Sequence, residues 1–94
     1  MAAKSIVARS FQVSGRVQGV GFRYFVLQLA EQLALRGHVR NTREGAVEVY
    51  AIGTPEGLSA LGEQLWAGPP LARVDDVKES PVEMLPTDSF QVKY

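Results

Sequence analysis

The chain has 94 residues, 46% of them hydrophobic, which suits one compact domain with a modest core and leaves no room for a second. It contains no cysteine and one histidine, which excludes a disulfide framework and a thiolate nucleophile and leaves few ways to build a zinc site. Ten basic and ten acidic side chains cancel, which argues against a general nucleic-acid binder, yet residues 1–43 hold seven basic groups against Glu31 alone and the rest carries three against nine, a split of +6 and −6. Either an anion is received by the basic half, or the two halves meet in the fold.

Lys4 and Arg9 interrupt the apolar residues of the N-terminal stretch, Met1 to Val13, which fits neither a signal peptide nor a membrane span; a cytoplasmic protein is expected. From Ile6 to Val13 apolar residues alternate, with Val7, Phe11 and Val13 on one face, predicting a half-buried strand that ends at Ser14-Gly15. A glycine-rich turn follows. Phe22, Phe25, Val26, Leu29, Ala30 and Leu33 then recur at helical spacing, and Gly37 is the predicted helix stop, with Arg36 in the last turn.

His38–Thr42 reads as a short strand, Arg43-Glu44-Gly45 as a tight turn, and Ala46–Ile52 as the hairpin partner with Val47, Val49 and Ala51 facing inward. Thr54-Pro55 opens a second helix with Leu58, Leu61 and Leu65 as its buried stripe, ending at Gly68-Pro69-Pro70. Trp66, near its end, is expected to pack in the core or at an edge. A strand from about Val74 to Met84, made irregular by Pro81, precedes a terminal strand in which Phe90, Val92 and Tyr94 alternate with Gln91 and Lys93. The order predicts an α/β (α+β) sandwich of the ferredoxin-like βαββαβ type: an antiparallel sheet, two helices on one face and a short extra C-terminal strand. In that topology the first two strands run the same way, so the segment Gly15–Arg23 is expected to approach Asn41.

The segment Gly15-Arg16-Val17-Gln18-Gly19-Val20-Gly21-Phe22-Arg23 joins a strand to a helix, and its three glycines let the backbone curl and present successive N–H groups to one point. The helix N-terminus adds free N–H groups, and Arg23 in the first turn can add a bidentate pair of charge-assisted hydrogen bonds to a phosphate. The segment is neither a P-loop, lacking the lysine followed by serine or threonine, nor a GxGxxG turn. Taken alone, the same glycines also suit a tight turn that only relieves strain, Arg23 a solvated cation, Asn41 a turn former and His38 a structural residue.

Gly15–Arg23, followed by Gly37-His38-Val39-Arg40-Asn41 and then Gly45, Val47 and Gly53 at their spacings, resembles the two signature segments of the acylphosphatase family. The similarity runs on through Gly68-Pro69 and Ala72-Arg73-Val74 to Phe90. It implies hydrolysis of acyl phosphates to a carboxylate and inorganic phosphate by one domain spanning residues 1–94. It further implies Arg23 and Asn41 as catalytic residues, and a phosphate cradle formed by Arg16, Val17, Gln18, Gly19, Val20, Gly21, Phe22 and Arg23. No cofactor or metal is expected, and neither a nucleic-acid nor a membrane partner; a monomer is expected. Two positions depart from the family pattern: His38 stands where a large aromatic is usual, and Gly21 where a bulkier residue is common.

The implied chemistry asks little of side chains. The leaving carboxylate has a conjugate acid with a reference pKa of about 4, so it departs at neutral pH without a general acid. The remaining tasks are neutralising phosphoryl charge, assigned to Arg23 and the loop amides, and aligning a water, assigned to the Asn41 amide. Two other classes compete with this reading. One is a non-catalytic module like the acylphosphatase-like domains of larger proteins that handle carbamoyl phosphate. The other is an RNA-binding ferredoxin-like module, against which Phe22 and Phe25 fall on the buried helix face.

Overall fold

In the computed structural model, which describes residues 5–94, the elements are β1 (Val7–Arg16), α1 (Phe22–Gln32), β2 (Arg36–Asn41), β3 (Val47–Gly53), α2 (Pro55–Ala67), β4 (Arg73–Val82) and β5 (Phe90–Lys93). The expected βαββαβ order with an added strand is present. Met1–Lys4, the start of the stretch in which no leader is expected, lie outside the described residues. Strand order in the sheet is β4-β1-β3-β2-β5. The first four strands pair antiparallel, whereas β5 joins β2 in parallel, which makes the sheet mixed.

Both β1 and β2 run antiparallel to the strand between them, β3, so they share a direction and end at the same end of the sheet. The core lies between the helices and one sheet face. Phe11, Val13, Val39, Val47, Val49 and Ala51 from the strands meet Phe22, Val26, Ala30, Leu58, Leu61 and Leu65 from the helices, all buried. Each fully buried leucine contributes about 1.5–3 kcal/mol by leaving water. The start of α2 is built as its sequence requires: Thr54 Oγ1 accepts from the Gly57 N–H at 3.1 Å, and Pro55 occupies the first turn, where no N–H is needed.

Several boundaries differ from expectation, each for a physical reason. β1 continues past Ser14-Gly15 to Arg16, because an irregularity between those two residues shifts the register and lets pairing with β4 resume. Helix α1 stops at Gln32, with Leu33 as its cap and Ala34 in the left-handed region at φ 56°. Gly37 therefore does not close the helix, and Arg36 is not in its last turn; both belong to β2. Glycine is required at 37 for another reason: φ is 138°, and a Cβ there would strike the Tyr50 carbonyl of β3. β2, β3 and β4 are each displaced by a residue or two from their expected limits, while Gly45 does take the positive φ, 90°, of the β2–β3 turn. Trp66 is 51% exposed rather than core, because Leu58, Leu61, Gly62 and Leu65 fill the buried stripe of α2.

Among the described residues, opposite charges from the two halves of the sequence meet in two places. Arg9 pairs with Glu79 at 2.7 Å and Arg40 with Glu48 at 2.8 Å. The connection from β4 to β5 is fastened by hydrogen bonds: Tyr50 Oη donates to the Glu83 carbonyl and accepts from the Leu85 N–H, and Arg36 donates to the Thr87 carbonyl. His38 faces Tyr50 across the β2–β3 pair and stacks on its ring at 5.5 Å, so the imidazole occupies the place of a flat aromatic partner.

Burial first, and Lys93 and Arg40 after it, hold the His38 pKa below its usual 6.5, with Glu48 pulling the other way. Between the lowered folded value and 6.5 the unfolded chain binds more protons than the folded one, so this contribution is present above pH 6.5 and is lost as pH falls. Thermal melts are expected to show a lower Tm at about pH 5.5 than at about pH 7, and His38→Phe is expected to reduce that difference. An unchanged pH dependence in the variant would show that other groups cause the drop.

Candidate active site

At the shared end of β1 and β2 lies a cleft of about 230 Å³. Its walls are the loop residues Val17, Gly19 and Gly21, Phe22, Arg23, Tyr24 and Leu27 of the first turns of α1, Asn41 at the end of β2, and Val92 and Tyr94 at the C-terminus. Gly19 and Gly21 have φ of 74° and 79°, and this left-handed backbone curls the loop onto the start of the helix. Val17 and Phe22 are buried and pin the loop at both ends.

The helix N-terminus is open. Gly21 caps α1 with no side-chain hydrogen bond, there is no acidic residue in the first turn, and the first helical bond is donated by Phe25 to Gly21. Among the described residues no backbone carbonyl accepts from the N–H groups of Gly19 to Tyr24. These donors, with the positive end of the helix dipole, favour an anion. Arg23 stands in this turn without a carboxylate partner among the described residues. Its guanidinium reaches the Lys93 carbonyl at 3.3 Å and lies 4.6 Å from the centre of the Tyr94 ring. A positive group at the positive end of a helix, with free N–H groups and Asn41 on the same cleft, has the chemistry to hydrogen-bond a small tetrahedral oxyanion.

The acylphosphatase family profile matches residues 9–92. The acylphosphatase of Solibacter usitatus is 44% identical over 86 residues, covering 92% of this chain and 90% of that protein. The chain belongs to the acylphosphatase family. Among solved structures, the acylphosphatase from Coxiella burnetii superposes with a TM-score of 0.92 at 38% identity, covering 99% of this chain and all of that one. A segment making up 12% of full-length HypF, solved in its phosphate- and nucleotide-bound form, also superposes, with a TM-score of 0.89 at 26% identity.

Within this acylphosphatase fold, the residues singled out from the sequence are distributed unevenly about the cleft. Arg23 and Asn41, 18 positions apart in sequence, both line it, together with Val17, Gly19, Gly21 and Phe22. Arg16, Gln18 and Val20 are not on its wall: Arg16 ends β1 opposite Arg73, Val20 packs against the core, and the Gln18 side chain turns to the β2–β3 turn. His38 is on β2, outside the lining of this cleft. Four lining residues were missed by the sequence reading: Tyr24 and Leu27 from α1, and Val92 and Tyr94 of the C-terminal wall. The wall follows from the parallel pairing of β5 with β2, and only the alternation of Phe90, Val92 and Tyr94 hints at it.

Proposed function

We propose that the chain is an acylphosphatase that hydrolyses the carboxyl-phosphate bond of acyl phosphates to a carboxylate and inorganic phosphate, without a metal or a covalent intermediate. The convergence of Arg23, Asn41 and the free N–H groups of the α1 N-terminus on one cleft carries this reading. The N–H groups between Arg16 and Phe22 and the Arg23 guanidinium hold the phosphoryl oxygens and offset their charge. The Asn41 side-chain amide hydrogen-bonds the attacking water and aims it at phosphorus opposite the leaving oxygen. No group protonates the leaving carboxylate, because its conjugate acid is strong enough for it to depart as the anion. Residues 1–94 act as one domain, as a cytoplasmic monomer on a small-molecule substrate, with no role for nucleic acid; no helix among the described residues is long and apolar enough to cross a membrane.

The test is phosphate release from benzoyl phosphate by the isolated chain in excess EDTA. Turnover is expected with chelator present and unchanged by added Mg²⁺, in keeping with a chain whose described residues bring no three His, Asp or Glu side chains together. Activity lost in chelator and restored by a divalent ion would overturn the metal-free mechanism. The likeness to a segment of HypF supports a second reading as a binding module, and absence of turnover with intact phosphate binding would favour it.

A further inference from the structure

The proposed chemistry requires two segments at a fixed separation, the loop that holds phosphate and the residue that holds water. The sheet does not tie them directly, since β3 lies between β1 and β2. The loop itself is loosely packed at Gly19 and Gly21, where a Cβ would meet nothing within 4 Å. One side chain spans the gap. Gln18 Nε2 donates to the Thr42 carbonyl at 2.8 Å and to the Ala46 carbonyl at 2.9 Å. Both amide hydrogens are used, and both acceptors belong to the turn that begins one residue after Asn41.

That turn is a firm anchor. The Thr42 N–H donates to the Ala46 carbonyl at 2.9 Å, and the Ala46 N–H donates to Thr42 Oγ1 at 3.1 Å. Half-buried Gln18 thus fastens the glycine-rich loop to a braced turn, across 24 and 28 positions of sequence. Among the described residues no other side-chain hydrogen bond joins these two segments.

We infer that Gln18, through its side chain, is a positioning residue that sets the distance between the phosphate cradle and Asn41. This rests on the proposed hydrolysis. Without the tie, the loop amides and Arg23 still bind phosphate, but the water on Asn41 is no longer held in line, and a displacement of about 1 Å costs up to about 100-fold in rate. The side chain cannot be replaced casually. Asparagine is one methylene too short, and ionised glutamate keeps the length but sets acceptor against acceptor.

The experiment compares wild type with Gln18→Met and Gln18→Glu, measuring kcat and KM for benzoyl phosphate, Kd for inorganic phosphate and thermal melts. Gln18→Met is expected to lower kcat about 10- to 100-fold while phosphate Kd stays within about threefold, a split that a general loss of structure does not produce. Gln18→Glu is expected to be impaired at pH 7 and to recover relative to wild type toward about pH 4, as the protonated carboxyl regains one donor. Wild-type kcat in folded Gln18→Met, or parallel loss of kcat and phosphate affinity, would overturn the positioning role. If Gln18→Met fails to fold, Gln18→Glu decides, and lack of recovery at low pH counts against the inference. No turnover by the wild type is a different result, which removes the proposed hydrolysis and this inference with it.

Discussion

Arg23→Gln is expected to lower turnover of benzoyl phosphate by about 10²- to 10³-fold, the usual consequence of removing one preorganised donor from developing charge. Phosphate affinity should fall as well, because a charged donor worth about 1.5–3 kcal/mol is taken from the anion itself. Stability should move little. Arg23 sits at the positive end of α1 with no acid in the first turn, an arrangement that costs about 0.3–1 kcal/mol and is relieved by glutamine. Against that, the exposed contact with the Tyr94 ring is lost. The two terms oppose, so Tm should stay within about 5 °C of wild type. Titration calorimetry with phosphate, single-turnover rates and a thermal melt read all three quantities. A variant that kept phosphate affinity, or that unfolded, would show that Arg23 serves the fold rather than the anion.

Arg23 was legible as a candidate because it falls in the first turn of the helix that follows the glycine-rich segment and inside the segment that carries the family resemblance. Asn41 was legible in another way, through topology, since two strands running in the same direction bring their ends together. Gln18 was not legible as a tie, because the carbonyls that it bridges are fixed by tertiary register and no local pattern announces them. Gly37 was misread because a helix terminus and a close strand crossing both call for a positive φ, and the sequence alone does not separate the two. Ala34 took the left-handed position instead, which lets Leu35 turn back into the core at 5% exposure. The four residues of β5 likewise carry an alternation but no statement of which edge they join, so the cleft wall at Val92 and Tyr94 emerged only with the sheet order.

Asn41→Ala separates chemistry from binding. The residue ends β2 opposite Val47, half-buried, and among the described residues no protein group hydrogen-bonds its side-chain amide, which leaves both ends of that amide for a water. Its backbone pairing survives substitution by alanine, and Asn41 is not one of the buried core residues. The cradle N–H groups and Arg23 remain, so phosphate Kd should stay within about threefold of wild type. Turnover should fall by about 100-fold, because only the transition state needs the water held in line with the leaving carboxylate. Asn41→Asp keeps the shape but places a negative charge beside the phosphoryl group, and it should weaken phosphate binding as well, in contrast to alanine. Calorimetric titration beside single-turnover rates, with circular dichroism to confirm the fold, distinguishes these outcomes. Wild-type turnover in folded Asn41→Ala, or loss of its phosphate binding, would assign the water to another group, and the cleft would then have to be read through Arg23 alone.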